Sequence, residues 1–466
     1  MRTRVFEAAI GATMWLAATA AAQPPITVLQ NFDGIAADNV APPNTTGKAG
    51  ATQFVQWVNN EFAIYDKATG KQIQPPQPGN TLWKAWKQAG PCATMNNGDP
   101  MVEYDKTAGT GGQWVFAQLA LSNPAYYCFA ISTTTDATGP FHYYKFPFAT
   151  GLKPNTPRLA VWTDAYYASF NLPRSGKAPV PMVVAYDRAH MLLGQKAQTP
   201  VSFRPSARTN FLPSDFDGTA PPAAGEPDFY MELGASNYLS LWQFHVDFES
   251  TASSTFTQTA TLDFSGPGIV CSLNPPQWNK GLIPQPAAAN GTTLVAYPDQ
   301  LMYRLAWRNV NQVEHLVATE SVVLSSAPAL AGVVWFDIVN PATDPALAQY
   351  ATVSDPAISY WIGSLAQDKD GDIALGFNAS SPNLYPSVEI AGRLASDPLG
   401  TMSAPEFLIE GTGAQANTSD WGAHADMSLD PSDDCVFWFT AEYVKTTQTG
   451  FDWSTRIGSF RFNACQ

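Results

Sequence analysis

The chain has 466 residues, 45% of them hydrophobic and only 14% charged, with a formal net charge of −14 at pH 7. An acidic chain without basic clusters repels nucleic acid and anionic membrane surfaces, so neither is expected as a partner. Beyond a short N-terminal run, no stretch approaches the ~18 apolar residues of a membrane-spanning helix.

Arg2 and Arg4 precede an apolar run from Ala8 to Ala22, and Ala20-Ala21-Ala22 before Gln23 has the small-residue form of a signal-peptidase site. Residues 1–22 are therefore expected to be a signal peptide, and 23–466 the exported protein, extracellular or periplasmic. Losing Arg2, Arg4 and Glu7 would move the charge from −14 to −15. Pro, Gly, Asn, Thr and aromatics are spread evenly over the rest, with no linker, charge block or long amphipathic helix. Short apolar runs at regular spacing predict one all-β repeat domain.

The first unit has the hairpin Gln53–Val58, Asn59-Asn60, Phe62–Asp66, since Asn tolerates positive φ between alternating strands. The second runs Asp99–Asp105, Gln113–Leu121, Tyr127–Ser132 and Phe141–Phe146. The third has Pro157–Asp164, Tyr166–Asn171 and Val183–Asp187; the fourth has Phe229–Leu233, Tyr238–Phe244 and Phe256–Leu262. A Pro- and Asn-rich excursion, Ser265–Pro298, precedes the fifth unit: Leu301–Trp307, His315–Val323 and Gly332–Ile338. The sixth has Trp361–Gln367, Ile373–Phe377 and Val388–Leu394; the seventh has Trp421–Asp430, Cys435–Thr440 and Ile457–Phe462. An apolar run ending in Asp, then a polar turn, recurs at Asp105, Asp164, Asp368 and Asp430.

Seven units of three or four strands predict a seven-bladed β-propeller. The seventh unit lacks a fourth strand, and Ile26–Gln30 is expected to supply it, closing the ring and removing an edge. A sandwich-plus-barrel arrangement is the alternative. Of the five cysteines, Cys92 with Cys128 and Cys435 with Cys465 each fall inside one unit and are expected to pair, leaving Cys271 as a buried spare thiol.

Pro42-Pro43-Asn44-Thr45-Thr46-Gly47, Gly98-Asp99-Pro100, Leu301-Met302-Tyr303-Arg304-Leu305, Asp368-Lys369-Asp370-Gly371 and Asp430-Pro431 with Asp433-Asp434-Cys435 resemble a broad family of exported bacterial β-propeller-like proteins. The resemblance spans nearly the whole exported chain and implies propeller-like architecture and secretion, but no particular reaction. The family pattern Asp-Tyr-Pro-Lys is here Asn155-Thr156-Pro157-Arg158, and Trp-Gly-Asp-Tyr is Trp421-Gly422-Ala423-His424, so a family carboxylate is missing at both places. Leu282 stands where the family carries a second cysteine, which fits an unpaired Cys271.

Ligands of propellers sit where strand starts converge on the channel. Six residues before each recurring Asp lie Asp99, Arg158, Ile362 and His424, and Asp299, Tyr303, Arg304, Trp361 and Trp421 occupy comparable strand starts. A carboxylate, a guanidinium and an imidazole around one channel can bind or polarise a ligand. Lining a wet channel and pairing with one another is the simpler account. Asp368, Asp370 and Asp372 invite a Ca²⁺ reading through alternating oxygen ligands, but an Asp/Gly hairpin turn explains them without metal. No other cofactor is suggested: the histidines lack zinc spacing, and no nucleophile elbow or nucleotide-binding glycine pattern appears.

The expected function is that of a secreted, monomeric protein binding an extracellular carbohydrate polymer at its channel face. One alternative is a glycoside hydrolase or lyase using channel carboxylates, such as Asp99 with Asp299, Glu226 or Asp228. The other is a non-enzymatic module that binds a surface protein.

Overall fold

A computed structural model describes residues 26–37, 40–234, 237–264, 281–298, 300–447, 451 and 453–465. The expected signal peptide, Cys271, Asp299 and much of the 265–298 excursion lie outside these residues.

The strands fall into up-and-down groups of four. After β1 (Ile26–Ala36), the first group is β2–β5: Thr46–Ala49, Gln53–Val58, Glu61–Asp66 and Gln72–Pro78. Next come β6–β9 (Met101–Asp105, Gln113–Ala120, Tyr126–Ser132, Phe141–Pro147) and β10–β13 (Asn155–Val161, Tyr166–Arg174, Lys177–Tyr186, Val201–Phe203). Strands β14–β17 are Leu212–Phe216, Asp228–Leu233, Tyr238–His245 and Thr255–Asp263; β18–β21 are Leu301–Val310, Val313–Ser326, Ala329–Val339 and Ala346–Val353. The last are β22–β25 (Ser359–Gln367, Ile373–Ser381, Leu384–Arg393, Glu406–Ile409) and β26–β28 (Asp426–Leu429, Phe437–Val444, Trp453–Phe462).

Among the described residues these strands form six hydrogen-bonded sheets rather than seven separate ones. Five have four strands. The eight-stranded sheet joins two meanders, β14–β17 and β18–β21, through their first strands, which pair in parallel from Ser214↔Leu305 to Phe216↔Trp307. Strand β1 pairs antiparallel with β28, Ile26 opposite Phe462 and Phe32 opposite Ile457, and completes the sheet β1-β28-β27-β26 as the sequence predicts. The first strands touch in succession: β2 packs on β6, β6 on β10, β10 on β14, and so on through β18 and β22 to β26, which returns to β2. Among the described residues these first strands thus follow one another in a closed circuit.

Local chemistry accounts for the turns. Asn59 adopts a left-handed conformation between Val58 and Glu61, and Asn311 and Gln312 both have positive φ in the two-residue turn between Val310 and Val313. Core residues lie between neighbouring sheets. A Cβ on Gly376 would come within 2.4 Å of the Phe439 ring, so glycine admits an aromatic of the next unit there. Cys92–Cys128 and Cys435–Cys465 are bonded as expected, with Cα separations of 5.9 and 5.6 Å. Among the described residues no helix is long and apolar enough to cross a membrane.

Candidate functional site

The first strands are mostly apolar or small, yet several carry one or two charged residues, and some of these meet on the axis. Lys48 of β2 places Nζ 3.2 Å from Glu103 of β6, 3.2 Å from Asp215 of β14 and 3.4 Å from Asp426 of β26. Arg304 of β18 donates to Asp215 (Nη1, 2.9 Å), to Asp217 through Nη2, and to the Met427 carbonyl (Nε, 2.7 Å). All six side chains are buried. Burial alone would lower Lys48, but Asp426, Glu103 and Asp215 hold it above its ordinary value. Asp215 is likewise held below the usual carboxylate range, because Lys48 and Arg304 outweigh its burial. Glu103 goes the other way: burial, reinforced by Asp215, raises it well above the usual range despite Lys48. It also accepts from the Tyr303 hydroxyl. The middle of the axis is therefore a saturated ionic network.

One end of the axis holds four of the predicted residues, Asp99, Arg158, Tyr303 and His424. Asn44, Asp99 and Thr156, each two residues from the axial part of its strand, have φ of 45°, 47° and 52°. Their side chains and amides link consecutive units. Asn44 accepts from the Ala423 amide (3.0 Å) and donates to Asp99 (3.4 Å), while Asp99 accepts from the Thr156 amide (3.4 Å). Gly98 is needed before Asp99, since its φ is 78° and a Cβ would meet Asn59 at 2.1 Å. Burial raises Asp99 above the usual carboxylate range, against the pull of the Thr156 amide and Arg158.

Arg158 lies inside this girdle, fully buried. Its Nη1 contacts His424 Nε2 and the Pro157 carbonyl (3.2 Å), whereas Nε and Nη2 have no partner. Burial lowers Arg158 to about 10 although Asp99 opposes the shift. His424 is pushed well below its ordinary value by burial and by Arg158, so it is neutral, and its Nδ1 is also unpartnered. The His424 ring stacks on Tyr303 at 5.9 Å. Arg158 thus meets His424, whose ring lies against Tyr303, while Asp99 acts on Arg158 through its charge.

Other predicted residues do not. Arg304 belongs to the saturated network rather than the mouth. Trp361 and Trp421 are fully buried with ring centroids 5.5 Å apart, in a core that includes Ile283, Leu294 and Ala296. Residues 281–298 are held over this region by Gln285, which exchanges hydrogen bonds with the Gln415 backbone, and by Val295 bonding to Ser419. The two tryptophans are therefore core residues and not a stacking platform. Asp368 spends one oxygen on the amides of Asp370 and Asp372, both at 3.0 Å, and Asp372 accepts from the Ala395 amide. These bonds are those of an Asp-rich hairpin turn, and among the described residues no group of three His, Cys, Asp or Glu is arranged to hold a metal.

The opposite end follows the strands' last residues. A cavity of about 30 Å³ is lined by Lys48, Glu103, Asp215, Asp217 and Arg304, together with Lys106. Of the residues missed by sequence, Lys48, Asp215 and Asp426 are each the one charge of a first strand, Glu103 shares its strand with Asp105, and Asp217 follows its strand directly.

No family model and no curated sequence matches the chain. Solved structures with a similar course of chain include a Burkholderia pseudomallei lectin, BP39L, at 9% identity and TM-score 0.43, covering 91% of this chain and 97% of that one. A Penicillium chrysogenum α-L-arabinanase bound to arabinobiose matches at 12% identity and TM-score 0.41, covering 80% and 100%. An α-L-arabinofuranosidase of Fusarium graminearum matches at 11% and 0.40, covering 79% and 99%.

Proposed function

We propose that the chain is an exported, single-domain, seven-bladed β-propeller that acts as a monomer and binds an extracellular carbohydrate at the Asp99–Arg158 mouth. Counting the eight-stranded sheet as two blades joined at their first strands gives seven four-stranded blades, the last completed by β1. The two buried disulfides fit an oxidising compartment.

The observation that carries the binding reading is the fully buried Arg158 guanidinium, which keeps Nε and Nη2 unpartnered beside the half-buried Asp99 carboxylate. Buried donors without partners are costly and are retained where something else satisfies them. Donors and an acceptor side by side suit adjacent sugar hydroxyls, each of which both donates and accepts. Hydrolysis is less well supported. It requires two free carboxyls flanking the bond, and Glu103, Asp215 and Asp426 are already engaged by Lys48.

A glycan array probed with the wild type, Asp99→Asn and Arg158→Lys tests this. The expected result is retention of neutral oligosaccharides by the wild type, with at least roughly tenfold weaker binding in each variant, about 1.4 kcal/mol. Equal melting curves would establish that the variants fold. Release of shortened products would replace binding with catalysis. Failure to retain any glycan, with capture of a surface protein instead, would leave the interaction-module reading.

A further inference from the structure

Beside the small axial cavity lies a larger one, with Pro431 in the wall of both. Asp99 precedes its first strand, whereas this cavity is built at the other end, from the last positions of β14, β18, β22 and β26 and the turns that follow them. These four strands are neighbours in the circuit. The cavity measures about 300 Å³, at the lower end of the ~300–1,000 Å³ of small-molecule sites. Its floor is the buried pair Arg308–Asp434, joined at 3.1 and 2.6 Å. The turn carrying Lys369 is tied to Asp434, whose carbonyl accepts from the Lys369 amide at 3.1 Å. Gly218 lets the next turn lie on the Arg308 guanidinium: its φ is 82°, and a Cβ would stand 3.1 Å from Cζ. Several polar groups here keep bonding capacity. Arg308 Nε is buried without a partner. Asp433 places Oδ1 on the amides of Cys435 and Val436 at 3.0 and 3.1 Å, and Asn309 places Oδ1 on the Gln312 amide at 3.0 Å. Asp433 Oδ2 and Asn309 Nδ2 remain as an acceptor and a donor.

We propose that this cavity is a second saccharide site, which takes one uncharged sugar unit at the end of the axis opposite Arg158. Its charge balance disfavours ionic ligands. The lining carries two cations, Arg308 and Lys369, and two carboxylates, Asp433 and Asp434, so an anion or a cation is attracted by one pair and repelled by the other. Only Ala220 and Pro431 among the lining residues lack a polar side-chain group, so an apolar or aromatic ligand would cover donors and acceptors without pairing them. Hydroxyls suit both kinds of group, because each donates and accepts. A ring bearing several can use Asp433 Oδ2, Asn309 Nδ2 and the Thr219 hydroxyl with no counter-charge to supply. The ligand chemistry is that proposed for the mouth, but the two sites share no residue, and each stands or falls separately.

The experiment is acetylation footprinting of the intact protein, mapped by peptide mass spectrometry, with and without methyl α-D-glucoside, methyl β-D-galactoside or methyl α-D-mannoside. Each is added at about 50 mM, well above a Kd of ~1 mM. So weak a contact is washed from an array, which therefore reports the mouth alone. At least one glycoside is expected to slow acetylation of Lys369 roughly threefold or more relative to the exposed Lys84 and Lys196. D-Glucuronate at the same concentration should protect less. Protection should persist in Asp99→Asn, which alters only the mouth, and vanish in Ala220→Trp, whose side chain fills the cavity from an exposed position. Asn309→Ala, a smaller change, should weaken it. Unchanged labelling of Lys369 with all three glycosides, equal protection by glucuronate, or protection that survives Ala220→Trp would each overturn the proposal. Protection of Lys369 together with a blank array would support this site and overturn the mouth reading alone.

Discussion

Lys48 and Lys106 line one cavity, but their surroundings make them different chemical groups. Lys48 has carboxylates of three separate strands within 3.4 Å, and their sum exceeds the cost of burying its charge. Lys106 has carboxylates in view, but each is committed elsewhere, so burial wins. The contrast extends along the axis. The middle is a set of charges that satisfy one another, whereas Arg158 at one end keeps Nε and Nη2 without a partner and Lys106 at the other has Asp217 Oδ1 at 4.0 Å. Burial alone therefore does not separate structural from available charge in this molecule. Partner saturation does.

The largest effect is expected where saturation is broken. Lys48→Met leaves Glu103, Asp215 and Asp426 facing one another without their shared cation, and removing one member of a buried ionic cluster costs about 3–5 kcal/mol. The urea midpoint should fall accordingly with an unchanged slope. A loss below roughly 1 kcal/mol would mean that Arg304 alone holds the acids, and the distinction between the middle and the ends would collapse.

How much of this was written in the sequence varies with exposure. The second and third strands, such as Gln113–Ala120 and Ile373–Ser381, are buried on both faces and stand out as apolar runs. Strands missed by that reading are short or polar. Gln72–Pro78 and Ala346–Val353 are outer strands with mixed exposure, Val201–Phe203 has three residues, and Leu212–Phe216 is interrupted by Pro213. The closing strand was legible because the seventh unit visibly lacked a partner. Asp99, Arg158 and His424 were found through their fixed offset from Asp105, Asp164 and Asp430. The network was not, because a single Lys or Glu inside a strand says nothing of which distant strand carries its counter-charge. Only ring closure brings Thr46–Ala49 against Asp426–Leu429.

The recurring aspartates repeat the contrast with the opposite sign. Asp105 is saturated, bound by Arg188 through Nε at 2.6 Å and Nη2 at 2.8 Å. Asp368 has no such cation; Oδ2 is buried without a partner, and burial with the nearby Asp372 raises its carboxyl to about 7 from 3.8. A carboxyl raised in the folded state favours the protonated form. Its stabilisation is complete below about pH 4 and is lost as pH rises through 7. Asp368→Asn keeps an oxygen for the two turn amides and cannot ionise. The variant should therefore match the wild type at pH 4 and exceed it by about 1–3 kcal/mol at pH 8. A wild type more stable than the variant at pH 8, particularly with added Ca²⁺, would show the ionised carboxylate to be useful and restore the metal reading.

The smallest effect on stability is expected at the residue most important for the proposed function. Arg158→Met removes a buried charge that is only partly compensated and replaces it with an apolar chain of similar length. Such exchanges are often neutral or mildly stabilising. The groups left behind tolerate the loss: Asp99 is half-buried at the mouth and can hydrate, and His424 is already neutral. The urea midpoint should therefore move by no more than about 1 kcal/mol in either direction, while glycan retention disappears. A cost approaching that of Lys48→Met would make Arg158 a structural partner of Asp99, and its two unpartnered nitrogens would no longer point to a ligand.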